Sequence, residues 1–134
     1  MIITKNKMRT SNNKPLKQSN ITITRNLLKQ RFTEYNNSYF DGKLSMPQFY
    51  FLMSKRPYGR CVRYRKDGKR AVDIWMSKRI DWTEDFFKEV LIHEMIHQYV
   101  YEVFFRWRYS FIQHGLFFHY MRWKLYRKYG LKIR

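Results

Sequence analysis

The chain has little cysteine, no acid at either end and no long apolar run. Its single cysteine, Cys61, excludes an intramolecular disulfide and a cysteine-rich zinc ribbon within these 134 residues, and it fits a reducing compartment. The most apolar stretch, Val90 to Phe105, is broken by His93, Glu94, His97, Gln98 and Glu102, so no segment qualifies as a membrane span. Residues 1–20 are basic and rich in asparagine but have no apolar centre, which excludes a secretory signal. A soluble, monomeric, cytoplasmic protein is the expectation. Neither an internal repeat nor a second domain is visible. The expected organisation is a basic disordered arm over residues 1–20 and a single domain over residues 21–134.

Acid is missing in a patterned way. All ten acidic residues lie between Glu34 and Glu102, where they nearly balance the lysines and arginines of that segment. Residues 1–33 and 103–134 carry lysine and arginine and no acid, so the formal net charge of +18 sits at the two ends. Polycationic ends release counterions from a phosphate backbone, which makes non-specific nucleic acid the natural partner. Nothing marks a helix that reads bases. The plainer alternative is that the charge serves solubility. What the chain does have is burial capacity: 44% of its residues are hydrophobic, and eleven Tyr and eleven Phe supply much of that.

The apolar spacing predicts a helix from about Ile21 to Phe40, with Leu27, Leu28, Phe32, Tyr35 and Tyr39 on one side and Asp41-Gly42 ending it. Three alternating segments follow, at Pro47–Met53, Gly59–Arg65 and Arg70–Ser77. Asp67-Gly68, between the last two, is the favoured centre of a tight hairpin, so a small antiparallel sheet is expected. Asp81-Trp82-Thr83-Glu84 reads as a capping box, with Asp81 as N-cap of a helix running to about Phe104. A final helix is expected from near Gly115 to Tyr129. The fold class is α+β.

The chemistry sits at His93-Glu94-Met95-Ile96-His97. On a helix, positions four apart share a face, so His93 and His97 can offer two imidazoles to one tetrahedral zinc ion. Glu94 is then placed to act as a general base towards water activated at that ion. The plainer reading is two helix-surface histidines, one of them paired with Glu94 or Glu102. A catalytic zinc site needs a third protein ligand. Glu102 lies five residues beyond His97, about 140° around the helix, and is poorly placed. His114 and His119 remain, and spacing favours His114, just ahead of the final helix.

Three segments together resemble the SprT-like family, which includes bacterial SprT and Spartan-type proteases. They are Tyr39-Phe40-Asp41-Gly42-Lys43-Leu44 with Met46-Pro47, then His93 to His97, then His114-Gly115-Leu116-Phe117-Phe118. They occur in the family's order across about Ile21 to Tyr129. The resemblance implies a zincin-like metallopeptidase domain, zinc held by His93, His97 and His114, and Glu94 as catalytic base. It leaves His119 outside the pattern. It also implies protein substrates associated with or crosslinked to DNA, because Spartan-type members cleave such proteins. Many relatives carry a C-terminal zinc ribbon, which this sequence lacks. Nucleic-acid contacts are therefore expected from the arms and from the aromatic, basic segment after His97, with Arg106 and Arg108 as candidates. Two alternatives are a general intracellular metallopeptidase without DNA dependence and a non-catalytic basic nucleic-acid-binding protein with a structural zinc.

Overall fold

The structure, a computed structural model, describes residues 20–104 and 111–134. The expected disordered arm therefore lies outside the described residues, apart from Asn20. Asn20–Ile21 forms a short strand, β1, paired antiparallel with Trp82–Thr83, here β5.

Helix α1 spans Arg25–Tyr39 and starts at Thr24, whose side chain accepts a hydrogen bond from the Leu27 amide at 3.1 Å. Leu28, Phe32 and Tyr35 form its buried stripe. The turn after it uses positive φ at Asp41 (56°) and Gly42 (67°). Asn36 fixes the chain beyond that turn. Its Nδ2 donates to the Leu44 carbonyl at 3.0 Å, and its Oδ1 accepts from the Leu44 amide at 3.1 Å.

Strands β2 (Gln48–Leu52), β3 (Gly59–Lys66) and β4 (Lys69–Ser77) form one sheet in the order β2-β4-β3. The sheet is mixed, and not antiparallel as expected: β4 is central, antiparallel to β3 and parallel to β2. The β3–β4 hairpin turns where expected, with positive φ at Asp67 (54°) and Gly68 (76°). The register places Phe49, Gly59, Cys61, Val72, Ile74 and Met76 on one face, and that face is covered. Tyr50 and Trp75 stack on the other at 4.9 Å.

Helix α2 spans Glu84–Tyr99, and its N-cap is Thr83 instead of Asp81. Thr83 Oγ1 accepts from the Phe86 amide at 3.2 Å. Trp82 is drawn into the core, only 1% exposed, with its indole N–H donating to the Ser77 carbonyl at 2.8 Å. That strand contact displaces the helix start by two residues. Regular α-helix ends at Tyr99 and continues as a π-helical turn over Val100–Phe104.

The last helix, α3, spans Phe111–Tyr129, so it begins before Gly115 and takes in position 114. Helix α2 is buried on nearly every side, by the sheet, α1 and α3. That explains why its pattern is apolar all round and not a single stripe.

Candidate active site

His93, Glu94 and His97 lie in the second half of α2, where the helix passes β3 on one side and α3 on the other. The two imidazoles are neighbours, with ring centroids 5.0 Å apart. Phe118 of α3 packs against both, at 4.9 Å from the His93 ring and 4.3 Å from that of His97. Nδ1 of His93 meets the main-chain oxygen of Arg134. A contact of that kind fixes the ring's orientation through one nitrogen, as the hydrogen-bond partners of metal-binding histidines do. Burial holds His93 below the ordinary histidine pKa, against the opposing effect of the Arg134 oxygen. The neutral ring is the form that can coordinate.

Glu94 is 6% exposed, and burial alone pushes its carboxyl up to about 7. Among the described residues no donor or cation offsets that cost. An uncompensated carboxylate is expensive in a packed interior, so its presence calls for a chemical explanation. Gly59 makes room for it. A Cβ at position 59 would lie 3.2 Å from both Cγ and Oε2 of Glu94 and 3.0 Å from Cγ1 of Val90. The backbone of β3 thus runs directly against the carboxylate. Pro57, Tyr58, Gly59, Phe86, Val90, His93 and Glu94 line a cleft of about 300 Å³ there.

The expected site residues fare differently. His93, Glu94 and His97 come together. Position 114 falls in the first turn of α3, one helical turn before Phe118, and its side chain lies outside the described residues, as do Arg106 and Arg108. His119 is exposed on α3. Among the described residues no group of three His, Cys, Asp or Glu side chains is placed to hold a metal. Glu102 is committed elsewhere, accepting from the Ser45 amide at 3.1 Å and the Ser45 hydroxyl at 2.7 Å. Tyr99 and Tyr101, from the aromatic segment, face inward. Tyr99 is 6% exposed, and the Tyr101 hydroxyl donates to the Tyr64 carbonyl at 2.8 Å. Sequence reasoning missed Gly59 as a site residue. The available signal was a glycine opening a strand, a position where another group often approaches closely.

The fold is α+β, and His93-Glu94-Met95-Ile96-His97 lies on its most buried helix. A family model, the SprT-like family, matches residues 28–128, and the chain belongs to that family. The family is generally associated with metallopeptidase-like function. No protein with a curated description matches the chain. Among the described residues no helix is long and apolar enough to cross a membrane.

Proposed function

We propose that the protein is a zinc-dependent metallopeptidase with a zincin-like site, acting on proteins associated with or crosslinked to nucleic acid. The observation that carries the peptidase reading is the pairing of two adjacent imidazoles with a buried carboxylate that lines a cleft and has no partner among the described residues. The donor set suits zinc: two imidazoles on one helical face, one of them already oriented through one of its nitrogens. His114 is the proposed third ligand. Its position shares a face of α3 with Phe118, which touches both imidazoles.

Zinc would supply Lewis acidity, lowering the pKa of water and polarising a peptide carbonyl. The remaining chemistry belongs to the chain. Glu94 takes the proton of the attacking water on its carboxylate and returns it to the leaving amine nitrogen. Its burial keeps bulk water and competing cations away from that proton. Strand β3 is an edge of its sheet among the described residues and borders the cleft at Gly59. A substrate segment can lie along it as an added strand, its scissile carbonyl reaching the histidines.

The basic ends supply the nucleic-acid half of the reading, because a polycation concentrates the enzyme on a phosphate backbone. A general peptidase would cleave free and DNA-bound proteins alike.

The test measures bound zinc in the wild type, His114→Ala and His119→Ala, together with cleavage of a DNA-crosslinked protein. About one zinc per chain is expected in the wild type and in His119→Ala, with loss in His114→Ala. Zinc retained by His114→Ala would overturn the ligand assignment. Equal cleavage of the same protein free of DNA would overturn the substrate assignment.

A further inference from the structure

Helix α3 has two apolar sides, and only one is used by the core. Phe118, Met121 and Leu125 are buried. Yet Tyr120, Trp123 and Tyr126 are exposed at 47%, 53% and 50%. The Tyr120 and Trp123 rings lie 6.1 Å apart, so these side chains form a contiguous patch, and contiguous exposed aromatic surface marks interaction sites. Trp123 and Tyr126 line a groove of about 560 Å³ between α3 and the segment 131–134, together with His119, Arg122, Lys132 and Arg134. Ile133, 8% exposed, anchors that segment to the core. Among the described residues the one acidic side chain in the lining is Glu89, and Arg134 Nε lies 3.1 Å from it. Arg127 adds a guanidinium 5.5 Å from the Trp123 ring. The groove is therefore aromatic, concave and cationic.

We propose that this groove binds single-stranded nucleic acid, with an unpaired base stacking on Trp123 and Tyr126 and its flanking phosphates held by Arg122 and Lys132. The proposal deepens the reading above and rests on it for the nucleic-acid partner. Aromatic faces beside fixed cations are how sequence-tolerant single-strand sites work, because every base has a π face. A membrane surface is the competing occupant of a basic, aromatic helix. It is disfavoured by how the groups are arranged: Trp123 and Tyr126 share one groove with Arg122 and Lys132, whereas a helix lying on a membrane separates its charged face from its apolar one. Location adds a consequence. Glu89 and Arg134 line both this groove and the cleft beside Glu94. A strand held here would bring its attached protein to the β3 edge.

The test uses the full chain carrying Glu94→Gln, a fluorescent oligothymidylate and anisotropy at low salt. Trp123→Ala should weaken binding about tenfold, and Trp123→Phe should recover most of it. Arg122→Ala should lower the slope of log affinity against log salt by about 0.7. Lys66→Ala with Lys69→Ala, at the β3–β4 hairpin, whose residues do not line the groove, removes two charges as a control and should change affinity less than Trp123→Ala does. Wild-type affinity in Trp123→Ala would overturn the proposal, as would an equal loss in the hairpin control. Binding to phosphatidylserine vesicles with none to the oligonucleotide would overturn it in favour of a membrane surface. Trp123-dependent binding by a chain that, with Glu94 intact, cleaves no protein would keep the groove and sink the peptidase. Cleavage by a chain whose binding ignores Trp123 would do the reverse.

Discussion

Glu94 owes its surroundings to a residue with no side chain. Gly59 places the β3 backbone where any Cβ would press on Glu94 and Val90, both on the well-packed face of α2. Gly59→Ala should therefore displace the carboxylate without touching the histidines. Zinc content is expected to hold while kcat/KM falls by roughly ten- to a hundredfold, since small displacements of a catalytic group carry costs of that order. Wild-type turnover in Gly59→Ala would show that the close approach has no catalytic role. His93, Glu94 and His97 were legible in the sequence because a helix fixes which residues share a face. Gly59 was not, because the contact joins positions 59 and 94, and nothing local in either segment announces it.

The elements divide along the same line. The hairpin at Asp67-Gly68 was legible because both residues adopt the positive φ that a tight turn demands. The direction of β2 was not, because alternation marks a strand but carries no orientation. Its neighbour turned out to be β4, reached only after β3 had been laid down on the far side. The start of α2 was misread for a similar reason. Asp81 and Thr83 are both good caps, and the pairing of Trp82 with Ile21, far back in the sequence, decides between them. The segment after α1 was recognisable as a motif, and its physical basis is Asn36. Its two hydrogen bonds to Leu44 are buried, so Asn36→Ala would leave a main-chain donor and acceptor unpaired. A loss of about 2 kcal/mol in unfolding free energy is expected from urea denaturation. A change no larger than that of an exposed control such as Lys29→Ala would contradict this role.

At the scale of the whole molecule, the core that buries α2 also buries groups that ionise in alkali. Burial raises the Cys61 thiol well above its ordinary value, with the nearby charge of Glu94 adding to the effect, and pushes Tyr35 up to about 12, with Glu84 contributing. Both stay protonated in the folded chain at a pH where the unfolded chain has lost those protons. Their contribution is complete below the unfolded pKa values and is lost as pH rises through the folded ones. Stability should accordingly fall from about pH 9 upward, Cys61 first and Tyr35 next. Urea midpoints across that range test this, and Cys61→Ala should flatten the first part of the decline. The charge asymmetry was readable from the sequence, whereas the groove on α3 needed the fold to bring Trp123 and Lys132 together. The central claim is that α2 carries a zinc peptidase site, and Glu94→Gln tests it most directly. The substitution preserves shape and leaves His93 and His97 in place. Zinc content should match the wild type, while cleavage of a DNA-crosslinked protein drops by about a hundred- to ten-thousandfold. Undiminished cleavage by Glu94→Gln, or a wild-type protein that binds no zinc, would contradict the account.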